Sequence, residues 1–172
     1  TVSGSELSMT SAGVLTFAVA PDYETKTSYT ATVTASDGTN TTTQNITVNV
    51  TNLNDNSPVF TSGATFSAAE NQTSIGTVTA SDADGETLSY SISGTDASSI
   101  SVNSSSGALI FNSAPDYETK TSYTATITAS DGANTTTQNI TVSIINVNES
   151  PIFSSSASFS AEENQTSIGS VS

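Results

Sequence analysis

Apolar and polar residues alternate along much of this chain with a period of two. From Tyr123 to Ala129 one face reads Tyr, Ala, Ile, Ala, and the other is all threonine. Ile140, Val142 and Ile144 alternate with Thr141 and Ser143, and Leu88, Tyr90 and Ile92 with Ser89 and Ser91. That period, carried by β-branched side chains, marks half-buried strands, and no segment has a helical period with caps. The pattern predicts seven strands, at about 64–69, 76–80, 87–93, 100–102, 108–111, 122–129 and 136–146, joined by stretches rich in Gly, Asp, Asn and Ser. Seven short strands in about ninety residues specify an all-β fold, a seven-stranded immunoglobulin-like Greek-key sandwich.

The pattern also repeats. Asn52-Leu53-Asn54-Asp55-Asn56-Ser57-Pro58-Val59-Phe60 returns as Asn146-Val147-Asn148-Glu149-Ser150-Pro151-Ile152-Phe153, and Pro21-Asp22-Tyr23-Glu24 returns as Pro115-Asp116-Tyr117-Glu118. Ala35-Ser36-Asp37-Gly38 returns as Ala129-Ser130-Asp131-Gly132. Self-similarity on this scale means tandem domains. Residues 57–149 are expected to form one complete unit, 1–56 the C-terminal part of a preceding unit, and 150–172 the N-terminal strands of a further one. Such a chain is a window on a longer array, or a subunit whose ends neighbours complete.

Composition narrows the chemistry. Sixteen acidic residues against two lysines, without arginine or histidine, give a net charge of −14, which disfavours nucleic acid and anionic membrane surfaces as partners. No apolar run is long enough to span a bilayer. Without cysteine there are no disulfides and no thiolate metal sites, so any bound metal must accept oxygen ligands.

Successive strands of an antiparallel sandwich cross from pole to pole, so the parity of a connection assigns its residues to one end. Glu70, Asp116, Glu118, Asn146, Asn148 and Glu149 follow odd-numbered strands and gather at the far pole. Asp82, Asp84 and Asp131 follow even-numbered strands and gather at the near pole. Stacking two units end to end then sets Asp22, Glu24 and Asp55 of the first against Asp82, Asp84 and Asp131 of the second. Like charges so crowded repel, and two lysines are too few to neutralise them. A divalent cation resolves the conflict, and calcium, which takes six to eight oxygens in irregular geometry, suits the donors better than magnesium.

These motifs resemble the cadherin repeat, particularly the cadherin-like repeats of bacterial surface proteins. In that family a Glu near the first strand, D-x-D, D-R-E, a D-G loop and a D-x-N-D-N linker hold calcium between successive domains. They are matched here by Glu70 and Glu163; by Asp82-Ala83-Asp84; by Asp22-Tyr23-Glu24 and Asp116-Tyr117-Glu118; by Asp37 and Asp131; and by Asn52-Leu53-Asn54-Asp55-Asn56. Twelve of the sixteen acids fall at motif positions, and Glu6, Glu86, Asp96 and Glu162 do not. The resemblance implies a first calcium junction from Asp22, Glu24, Asn54, Asp55, Asn56, Asp82, Asp84 and Asp131. It implies a second, weaker one from Glu70, Asp116, Glu118, Asn148 and Glu149, whose linker is shorter and lacks the Asp-Asn pair. Asp37 would serve an incomplete upstream junction. Asn52 stands where the family usually has Asp.

The expected function is therefore a calcium-rigidified extracellular spacer in a secreted or cell-surface adhesin or fibre, with neighbouring repeats as partners and homotypic contacts or strand exchange as further ones. Three other readings compete. Paired carboxylates such as Asp22 with Glu24 could serve a glycosidase, but they recur at joints rather than in a cleft, so no enzyme is expected. A carbohydrate-binding module would need aromatic platforms, and tryptophan is absent. A filament subunit assembled by head-to-tail strand complementation is suggested by the complementary ends, against a missing stretch equivalent to Ala80 through Tyr90.

Overall fold

The computed structural model describes residues 1–172, and every regular element in it is a strand. In the first part, β1 (Leu7–Met9) pairs with β2 (Leu15–Phe17), and β3 (Ser28–Ser36) pairs with β4 (Thr41–Asn49). A single bridge, Val2 to Val33, ties the start of the chain to β3.

Residues 57–149 carry the remaining nine strands. These are β5 (Val59–Phe60), β6 (Thr65–Ala69), β7 (Ser74–Thr77), β8 (Ala80–Ser81), β9 (Ser89–Ser93), β10 (Ile100–Val102), β11 (Ala108–Phe111), β12 (Ser122–Ser130) and β13 (Thr135–Ile145). One sheet has the order β6-β13-β12-β9, with β6 parallel to β13, and the other the order β10-β11-β7. Their facing sides enclose the core of an immunoglobulin-like sandwich. The alternation read from the sequence decides what enters it: Ala125, Ile127 and Ala129 from β12 and Ile140, Val142 and Ile144 from β13 are buried, and Ile100, Leu109, Phe111 and Val78 close it from the other side. The threonines between them face outward.

Two details depart from the expected strands. The segment 76–80 is split: β7 ends at Thr77, Val78 drops into the core with no exposed surface, and the chain continues as β8 against the short β5. A strand that passes from one sheet edge to another must break its ladder, and here the break is stabilised by burying Val78. Residues 150–172 contain no ladder-bonded strand. They nevertheless copy the local conformation of residues 57–79. Ser154 and Ser155 donate backbone N–H groups to the Ser172 carbonyl at 2.7 and 3.1 Å, as Thr61 and Ser62 do to Thr79 at 2.8 and 3.2 Å. Asn164 has φ 66° where Asn71 has φ 62°. Its backbone adopts the bend without the ladders that β7 and β6 make with β11 and β13.

The first part is packed more loosely: Ile46 and Val48 are half-buried, whereas their counterparts Ile140 and Val142 are 1 % and 0 % exposed.

Candidate metal centre

The site is built on the linker between the two units. Asp84 is its fastening point. Its Oδ2 accepts the backbone N–H groups of Asp55 and Asn56 at 3.1 and 2.8 Å, its Oδ1 accepts the Asn56 side-chain amide at 2.9 Å, and its carbonyl accepts the Asn52 side-chain amide at 2.9 Å. Burial opposes ionisation of this carboxyl, but the Asn56 side-chain and backbone amides hold it below the ordinary carboxylate value. The linker's asparagines thus act first as donors to the second unit.

Around Asp84 two groups of carboxylates meet. Glu24, Asp55 and Asp84 each bring one oxygen within 4.8 Å of the others, and so do Asp82, Asp84 and Glu86. The Glu24 carboxyl is raised: its own backbone amide works the other way, but partial burial and the neighbouring Asp84 and Asp22 carboxyls outweigh it. Asp22 itself is lowered, chiefly by the Thr25 hydroxyl at 2.7 Å. Pro21, Asp22, Tyr23, Glu24, Leu53 and Asp55 line the cleft on the first unit's side.

Asp131 sits beside these groups rather than within them. Its Oδ1 accepts the backbone N–H groups of Ala133 and Asn134, at 2.7 and 2.5 Å, and its Oδ2 the Asn134 side-chain amide at 3.1 Å. Asn134 then reaches the linker, donating to Asn54 Oδ1 at 2.9 Å and the Asn56 carbonyl at 3.0 Å. Burial works against it, but the Asn134 and Ala133 amides hold the Asp131 carboxyl below its ordinary value. Asp37 caps the equivalent loop of the first unit in the same way, on Thr39 and Asn40.

At the far pole of the second unit Glu70, Asp116 and Glu118 form a third group. Glu70 is 1 % exposed and holds the strand ends together, accepting the N–H of Tyr117 at 2.8 Å and that of Val147 at 2.7 Å. Glu149 points to the Asn71 amide at 2.6 Å, Asn146 donates to Glu118 at 3.0 Å, and Asn148 is exposed.

The residue that the sequence motifs missed is Glu86. Its signal was present as alternation: Asp82, Asp84 and Glu86 are each half-buried, with exposed residues between them, so a D-x-D-x-E run turns three carboxylates to one side. Burial first, and then the Asp84 and Asp82 charges against the opposing pull of its own backbone amide, push its carboxyl up. Asp82 Oδ2 and Glu86 Oε2 are buried and accept no hydrogen bond. Orphaned anionic oxygens in an all-oxygen donor set fit a hard divalent cation such as calcium. Two of the strand tyrosines are taken up by packing: Tyr90 is buried, and Tyr123 packs edge-on against Phe111 with centroids 4.9 Å apart.

A cadherin-domain family model matches residues 64–148. Human Protocadherin Fat 1 is 40 % identical over 149 residues, covering 77 % of this chain and 3 % of that protein, and the Drosophila melanogaster protocadherin-like wing polarity protein stan is 29 % identical over 161 residues, covering 83 % and 4 %. Among solved structures, a protocadherin gammaB7 EC3-6 cis-dimer matches with TM-score 0.71 and 30 % identity over 85 % of this chain and 40 % of that one. Mouse cadherin-23 EC22-24 matches with TM-score 0.71 and 23 % identity over 83 % and 50 %, a likeness of fold. The chain belongs to the cadherin repeat family. It spans only a few per cent of the length of these curated relatives. The relatives are animal proteins, so the comparisons carry the family and not the narrower likeness to bacterial surface repeats.

Proposed function

We propose that this chain is a calcium-binding extracellular repeat module, a stiffened spacer within a cell-surface adhesin or fibre. The observation that carries the reading is the convergence of Glu24, Asp55, Asp84 and Asp82 on one linker, with a buried Asp82 oxygen that no donor meets. Asp22, Glu24, Asn54, Asp55, Asn56, Asp82, Asp84 and Asp131 would hold the ion, Asp131 also positioning the linker through Asn134. Glu70, Asp116 and Glu118 would form the second site with Asn148 and Glu149. Asp37 would serve an upstream junction. Bound calcium would supply positive charge that turns mutual repulsion of the carboxylates into attraction. Extracellular modules hold it with dissociation constants of about 10⁻⁴ to 10⁻³ M, and a hundredfold excess over the constant stabilises the bound form by roughly 2.7 kcal/mol.

The protein's own residues divide the remaining work. Asp84 and Asn134 tether the linker to the second unit with or without the ion, while the Glu24 side of the cleft has no such tether and swings when repulsion is unopposed. Neighbouring repeats are the partners this reading names, and homotypic contact is the form of adhesion it extends to. It is a reading without enzymatic chemistry, because the paired carboxylates stand at joints between units. Small-angle scattering with calcium and with chelator tests it: the expected result is a longer maximum dimension and a narrower distribution in calcium, and an unchanged profile refutes it.

A further inference from the structure

We propose that Glu86 is an additional ligand of the junction cation, completing a three-carboxylate arm, Asp82, Asp84 and Glu86, that the second unit extends toward the linker. The inference rests on the junction being a calcium site.

The case begins with what surrounds the side chain. Each of the three carboxylates brings an oxygen within 4.8 Å of the other two. The Asp84 oxygens are taken by linker amides, and Asp82 Oδ1 accepts the Asp84 N–H at 2.9 Å. That leaves Asp82 Oδ2 and Glu86 Oε2, buried atoms of half-buried side chains, neither accepting a hydrogen bond. An anionic oxygen shut away from water without a donor is costly, and such groups are rare unless something else binds them. No side-chain cation answers it: Lys26 is engaged with Glu6 and Lys120 with Asp96, and these are the only two lysines in a chain without arginine or histidine.

The backbone also favours this placement. Gly85 sits at φ 84°, in the left-handed region that side chains rarely adopt, and nothing crowds its Cβ position. The glycine therefore serves the bend of the chain between Asp84 and Glu86 rather than close packing. A solubilising turn residue would extend its carboxylate into water. Glu86 instead folds its oxygen back among the acids.

The test compares the 172-residue chain with its Glu86→Gln and Glu86→Ala variants, using calcium alone as the probe, by titration calorimetry and by melting in chelator and in calcium. The expected result is a dissociation constant weakened roughly tenfold or more in both variants. In chelator the melting temperature of Glu86→Gln should equal or exceed that of the parent, because a like charge has gone. If the parent binds calcium and both variants bind it with unchanged affinity and stoichiometry, Glu86 is not a ligand and the junction reading survives. If the parent itself fails to bind, both fall. If Glu86→Gln melts lower by the same amount in chelator and in calcium, the side chain is structural and the inference is overturned.

Discussion

Asp96 shows how a single acid can lie outside the metal motifs and still be fully occupied. It is 9 % exposed, pairs with Lys120, and accepts the Thr124 N–H at 2.8 Å. In the first unit Lys26, the counterpart of Lys120, pairs instead with the exposed Glu6, and in both pairs the lysine lies 4.5 Å from the centroid of a tyrosine ring, Tyr29 or Tyr123. The Lys120 ammonium, and after it the Thr124 amide, hold the Asp96 carboxyl below its ordinary value. A depressed folded-state pKa means stability that is present above the unfolded value of about 4 and lost as pH falls through the folded one. Asp96→Asn should therefore cost about 1–2 kcal/mol at neutral pH, and the gap to the parent should close below about pH 4. Thermal melts from pH 7 down to the acid limit check this, and a gap independent of pH would remove the charge from the explanation.

At the scale of elements, the period-two alternation was legible in the sequence, because each buried face is a run of alternate apolar residues such as Ala125, Ile127 and Ala129. What was not legible came from tertiary context. β5 is two residues long with Val59 63 % exposed, too short to leave a pattern. The break at Val78 depends on Gly107, whose carbonyl accepts the Val78 N–H at 3.0 Å and whose Cβ, if present, would lie 2.1 Å from the Val78 carbonyl oxygen. At the site, the meeting of Glu24, Asp55 and Asp84 was foreshadowed by parity, whereas Glu86 stood outside every motif and the loop-capping role of Asp131 depends on Asn134, which no motif singled out. Gly107 invites a matched test with Gly13, its counterpart in the first unit, which also has a positive φ but nothing within 4 Å of its Cβ position. Gly13→Ala should cost about 1 kcal/mol from backbone conformation alone, and Gly107→Ala about 3 kcal/mol or more because backbone must also move. Chemical denaturation of the two variants provides the comparison, and equal costs would show that the close approach at Val78 relaxes freely.

At the scale of the 172-residue chain taken by itself, β3 and β4 are packed less deeply than β12 and β13, so protection from solvent should differ although the local hydrogen bonds match. Hydrogen exchange should be slowest at β12 and β13 and markedly faster at β3 and β4, whose apolar rows are uncovered on one side. Equal protection would mean that something else covers Ile46 and Val48. The bend held by Thr61 and Thr79, copied at Ser154 and Ser172, has a consequence for biosynthesis. The opening segment of each unit shapes itself from its own residues, yet β6 finds its ladder only on β13, the last strand to be made. Within residues 57–149, therefore, β6 joins its sheet only after β13 has been made, and that final strand acts as the latch of the unit.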